Sequence, residues 1–142
     1  MKIKDIMTKS IASVNANDSV EQAAFLMKEH NIGSVPVCEG EKVIGIITDR
    51  DIALRSVAEG ENFKKQAVRT IMTSNPVTGA PYMEVNAAAK LMSDKQIRRL
   101  PIIQNDALVG MVSLGDIAME PNLETSAQDA LKNISEPCTP NL

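Results

Sequence analysis

The sequence predicts a mixed α/β (α+β) protein built from two similar units, each a small sheet with helices. Three observations carry this. An internal repeat runs at a constant offset of 65 residues, with fourteen identical positions between residues 6 and 53 and no gap, where chance gives about three. Each copy holds an apolar helical stripe followed by two short apolar runs around a turn. The chain has 142 residues, 44% hydrophobic and 23% charged, which suffices for a buried core without metal or disulfide.

The elements follow in order. Ile6-Met7-Thr8 returns as Ile71-Met72-Thr73. Ile11 to Val14 reads as a leading strand, with Pro76 to Gly79 as its counterpart. Asp18-Ser19-Val20-Glu21 has the form of a capping box. Val20, Ala23, Ala24 and Met27 then make a helical stripe, ending near Glu29 to Asn31. Val35 to Cys38 is a short strand, and Pro36 suggests an edge or an irregular start. Val43 to Thr48 completes a hairpin. Asp49 to Val57 is helical, with Ile52, Ala53 and Val57 inward. In the second copy the helix spans Val85 to Ser93 and lacks the box, since Met83 replaces Asp18. Leu100 to Gln104 and Leu108 to Ser113 are strands, and Gly115 to Met119 is a short helix. A last helix is expected over Thr125 to Ile134, capped by Thr125 or Ser126, before a loose tail from Glu136. The organisation is 1–60 for the first unit, 61–70 for a linker, 71–120 for the second unit and 121–142 for helix and tail. Units this small pair their apolar faces, here through their sheets about a pseudo-twofold axis.

Composition narrows the function. Fifteen basic and eighteen acidic residues give a net charge of −3, so no strong positive field favours duplex nucleic acid. The N-terminus lacks an apolar signal core and no apolar run approaches membrane-spanning length. Cys38 and Cys138 match no ligand spacing and read as free thiols in a reducing, cytoplasmic setting. His30 stands alone at a helix end, with Lys95 in the equivalent place, and is read as a solvated or capping residue. Metal-ligand clusters, Gly-rich phosphate loops and nucleophile–base spacings are all missing from the sequence, so no catalytic residue is assigned and the chain is not read as an enzyme.

The repeated strand-to-helix corner carries the chemistry. It reads Gly45-Ile46-Ile47-Thr48-Asp49-Arg50-Asp51 and then Gly110-Met111-Val112-Ser113-Leu114-Gly115-Asp116. Asp51 and Asp116 suit either of two roles. They can cap exposed N–H groups at a helix start, or accept hydrogen bonds from the paired hydroxyls of a ribose, with Thr48 or Ser113 nearby. Basic residues are unequal between the copies: Arg98-Arg99 replaces Gly33-Ser34, and Arg50 faces Gly115 across the repeat. Such arginines are either a solvated face or an anion site, and an anion prefers the copy that has them.

In these motifs, duplicated in register over residues 1–120, the chain resembles tandem CBS-domain pairs (Bateman modules), and in particular small stand-alone bacterial ones. The resemblance implies two β-α-β-β-α units and a cleft between them holding an adenosine-containing ligand (AMP, ADP, ATP or S-adenosylmethionine). It implies that Asp51 and Asp116 hold ribose, and that Thr48 and Ser113 face ribose or phosphate. Arg99, Arg98 and Arg50 would meet phosphate. Val14, Val35, Val37, Val77, Leu100 and Ile102 would surround the base. It also implies a homodimer through helices carrying Val20, Ala24, Met27, Val85, Ala89 and Met92, and a protein partner that senses the ligand. The alternative is a dimeric interaction scaffold with unused nucleotide sites.

Overall fold

The computed structural model describes residues 1–136, and the tail from residue 137, with Cys138, lies outside the described residues. The chain forms two compact units. The first takes Ser10–Pro76 with the hairpin tip Asn105–Leu108, and the second takes Met1–Lys9, Val77–Gln104 and the chain from Val109 onward. These units cut across the repeat boundaries. Met1–Lys9 belongs with the second copy, and residues 71–76, which open the second copy, belong with the first.

In the first unit, β1 (Val14–Asn15) pairs parallel with β2 (Ser34–Glu39). The latter pairs antiparallel with β3 (Lys42–Thr48). The leading strand thus begins at Val14 rather than Ile11. Pro36 lies inside β2 at an edge position, as expected: it pairs with Ile46 on β3, and β1 meets β2 only at Val37 and Cys38, leaving its other flank without a strand. Helix α1 (Val20–His30) is capped by Ser19, whose hydroxyl accepts from Gln22 N while the Gln22 side chain accepts from Ser19 N. The box is therefore Ser19–Gln22 rather than one using Asp18 and Glu21. Asp18 instead accepts from Asn15 N in the preceding turn. The helix stops where Asn31 turns left-handed (φ 53°).

Helix α2 (Asp49–Ile52) runs into a π turn over Ala53–Val57. That wider turn rotates the face by about one residue. Ser56 is consequently buried, whereas Ala53 and Val57 are exposed and only Ile52 packs inward as expected. A short 3-10 turn at Val68–Thr70 puts Val68 wholly in the core, so the expected linker ends as core-forming chain. Strand β4 (Thr73–Ser74) then pairs antiparallel with β3.

The second unit repeats this plan. Helix α3 (Val85–Lys95) ends at left-handed Gln96 (φ 54°). Its N-cap is Glu84, which makes no side-chain cap; the box is missing because Glu84 stands where Ser19 stands in the first copy. Glu84 instead meets Lys2 Nζ at 2.5 Å and the terminal amine at 3.5 Å. The Lys2 hydrogen bond and charge hold its carboxyl below the usual value. Strands β5 (Arg99–Gln104) and β6 (Ala107–Ser113) are sheet neighbours. The expected strand over Pro76 to Gly79 reduces to one parallel bridge, Gly79 with Ile102. Helix α4 (Leu114–Ala118) follows, then α5 (Glu124–Ser135). No side chain caps α5; Ser126 instead hydrogen-bonds Asn86 Oδ1 on α3 (3.1 Å).

Each unit has its own core. Val14, Val20, Ala23, Met27, Val35, Val37, Ile47 and Val68 build the first. Ile3, Val85, Ala89, Met92, Leu100, Ile102, Ile117 and Ala130 help build the second. Val20, Met27, Val85, Ala89 and Met92 are therefore core residues and not a surface for a second chain. Exposed apolar side chains lie elsewhere, at Phe25, Leu54, Val57, Met119 and Leu131. Among the described residues no helix is long and apolar enough to cross a membrane.

Candidate functional site

Both corners adopt one geometry. Thr48 Oγ1 accepts from Asp51 N at 3.1 Å, and Asp51 Oδ2 accepts from Thr48 N at 3.0 Å. Ser113 Oγ accepts from Asp116 N at 3.0 Å, and Asp116 Oδ2 accepts from Ser113 N at 2.8 Å. Each aspartate is thus the third residue of a reciprocal capping box. That role occupies one carboxylate oxygen and leaves Oδ1. In the first corner Oδ1 stands 3.9 Å from Arg55 Nε, and the Asp51 side chain is 13% exposed. In the second copy Glu120 occupies the place of Arg55, so the neighbouring charge is reversed.

The strand starts beside the corners also differ. Arg98 O accepts from Leu114 N at 2.9 Å, and Gly33 O accepts from Asp49 N at 3.0 Å, which are equivalent bonds. A Cβ on Gly33 would stand 3.1 Å from Asp49 Oδ2, so a side chain there would require the exposed Asp49 carboxylate to shift slightly. Ser34, in the place of Arg99, is buried and its hydroxyl has no hydrogen-bond partner. Arg50 is exposed on α2, with its backbone N–H donating to Asp49 Oδ1 (2.8 Å).

A pocket of ≈ 510 Å³ opens at the second corner. Arg98 and Arg99 line it from β5, Ser113 to Gly115 from the corner, and Ala118 from α4. Gln128 and Leu131 line it from α5, and these two were not among the residues singled out in the sequence. A helical pattern near the C-terminus was legible, but nothing in it indicates which side faces the corner. Another concavity of ≈ 470 Å³ lies along α1 and is lined by Asp18, Glu21 and Glu29 with Val14, Phe25 and Leu26. Three carboxylates make that groove unsuited to an anion.

The residues expected around a base divide. Val35, Val37, Leu100 and Ile102 are 0% exposed and Val14 is 3% exposed, so in this structure they are core and offer a ligand almost no surface. Their apolar runs are covered on both sides, a fate that a short strand pattern does not distinguish from a pocket wall. Val77 is half-buried against the second core. Among the described residues no three His, Cys, Asp or Glu side chains are grouped to hold a metal.

Comparison with known proteins agrees with this architecture. The CBS domain family model matches residues 3–57 and 68–121. CBS domain-containing protein YhcV of Bacillus subtilis (strain 168) is 45% identical over 133 residues, covering 94% of each chain. The CBS domain pair of protein MJ0100, solved in complex with 5'-methylthioadenosine and S-adenosyl-L-methionine, superposes with a TM-score of 0.73 at 32% identity. It covers 83% of this chain and 93% of its own. Hypoxic Response Protein I, solved with two coordinated zinc ions, gives a TM-score of 0.79 at 28% identity over 85% of this chain and 100% of its own. A repeat at one offset, the same capped corner in both copies and these matches lead to one conclusion: the chain belongs to the CBS-domain family and carries two CBS domains in tandem.

Proposed function

We propose that the chain is a non-catalytic regulatory module that binds an adenosine-containing ligand, foremost at the second corner. The observation that carries this is the second-corner pocket, where Arg98, Arg99 and Ser113 line one cavity and Ser113 is tied to the Asp116 carboxylate through the capping box. The arginines fit a phosphate, and the Oδ1 left over from the cap fits a ribose hydroxyl. The adenosine compounds bound by the MJ0100 pair support the same ligand class. Two guanidinium groups favour AMP, ADP or ATP over the sulfonium of S-adenosylmethionine. Thr48 and Asp51, with Arg50, form a weaker first site, because Arg55 already neighbours the remaining oxygen. Binding then biases the contact made with a protein partner, which requires unequal affinity for two arrangements. The setting is cytoplasmic, where thiols stay reduced.

Calorimetric titration with AMP, ADP, ATP and S-adenosylmethionine tests this. Asp116→Asn keeps an oxygen to accept from Ser113 N, so its fold is checked by melting. It should lose most AMP affinity while Asp51→Asn loses less. Failure of all four compounds to bind the native protein would end this reading.

One observation favours a second reading, a dimeric scaffold. Leu54 and Met119 occupy equivalent positions in the repeat and are 49% and 83% exposed. An exposed apolar side chain repeated at the same position of each copy suits an interface between chains, and sedimentation of Met119→Lys tests it.

A further inference from the structure

We infer that α5 is a wall of the second-corner site, with Gln128 as a specificity-determining residue, and that ligand occupancy is coupled to the docking of α5. The inference rests on the adenosine-ligand reading above and adds to it the element that responds. Gln128 and Leu131 face the same cavity as Arg98, Arg99 and Ser113. The two sides offer different chemistry: guanidinium groups for a phosphate, and on α5 an amide that both donates and accepts beside an apolar side chain. That combination fits the base or sugar of a phosphorylated nucleoside.

The first copy has no such wall. After its π turn the chain reverses through Gly60 (φ 68°) and proceeds toward the Val68 turn without a helix in the place of α5. The two corners therefore differ in structure as well as in charge.

Helix α5 docks broadly on α3 and α4. Its apolar anchors are Ala127 and Ala130, both buried, with Leu123 just before the helix and half-buried Ile134 near its end. Its polar ties to α3 are exposed: Ser126 to Asn86 at 3.1 Å, and Asn133 Nδ2 donating to Ser93 Oγ at 2.6 Å. No side chain caps its N-terminus. Exposed ties and an uncapped start are features that let a helix open locally ahead of the unit behind it. A ligand touching both corner and helix adds contacts that only the docked state makes, so it must shift the docking equilibrium.

Hydrogen exchange of the full chain over residues 124–135, with and without AMP, tests the coupling. At AMP 100 times its Kd, opening of α5 should slow by up to about 100-fold. Gln128→Ala should weaken AMP about three- to tenfold, the worth of one side-chain hydrogen bond. Asn133→Ala, which removes the tie to Ser93 outside the pocket, should also weaken AMP. Gln128→Glu keeps the size and sets a carboxylate against the bound phosphate, so it should weaken AMP more than adenosine. Binding of AMP that depends on Asp116, with exchange in 124–135 unchanged and Gln128→Ala at native affinity, overturns the inference and leaves the proposed function intact. Binding that depends on Asp51 alone also overturns the inference, and it moves the proposed ligand site to the first corner. Absence of binding by any adenosine compound removes both.

Discussion

Met7 packs its thioether against the bare α-carbon of Gly110, 103 positions later in the chain. A Cβ on Gly110 would meet Met7 Cγ at 2.9 Å and lie still closer to its sulfur. The same relationship recurs 65 residues on, where a Cβ on Gly45 would stand 2.5 Å from Met72 Sδ and 2.8 Å from Thr73 O. Bridges follow the same symmetry: Thr8 pairs Met111, and Thr73 pairs Ile46. Each repeated Ile-Met-Thr segment thus docks on the corner strand of the opposite copy.

The two glycines should not tolerate alanine equally. At Gly110 the obstacle is one flexible side chain, whereas at Gly45 it includes a backbone carbonyl held in a ladder. Gly45→Ala should cost about 2–3 kcal/mol and Gly110→Ala about 1 kcal/mol, measured by urea unfolding. Met7→Ala combined with Gly110→Ala should show a favourable coupling energy, and strictly additive losses would contradict the contact.

Alkaline pH should destabilise the protein through Cys38. Burial raises its thiol above the usual value, partly offset by a hydrogen bond with Ser13. A group whose folded value is raised contributes stability that is complete below the unfolded value and is lost as pH rises through the folded one. Stability should therefore fall with rising pH in the alkaline range, and Cys38→Ala should flatten that slope. In a Cys138→Ser background, Cys38 should react slowly with a thiol reagent at neutral pH until denaturant is added.

Arg99 should set ligand charge preference. Arg99→Ala should weaken AMP by about 10- to 100-fold, the range for a charge-assisted hydrogen bond, and barely change adenosine. Equal losses for both compounds, read by calorimetry, would place Arg99 outside the phosphate subsite.

Much of this architecture was legible from residue spacing. The helices over Val20–His30 and Val85–Lys95 follow from apolar residues three and four apart. The hairpins follow from apolar runs either side of Glu39-Gly40-Glu41 and Asn105-Asp106. The corner motif predicted both roles of its aspartate, and the capping role is now visible at Thr48–Asp51 and Ser113–Asp116. The π turn escaped because Ala53, Val57 and Ser56 are compatible with either helical register; burial of Ser56 is a choice made by neighbours, not by local pattern.

The repeat alone established two related units, their order of elements and the unequal arginines, because identity at a constant offset and apolar periodicity are properties of the chain. Which sheet receives Met1–Lys9, which valines become core and which face of α5 lines the second corner were decided by folding. Those outcomes depend on contacts between residues far apart in sequence, such as Met7 with Gly110 and Asn133 with Ser93, and short-range spacing carries no information about them.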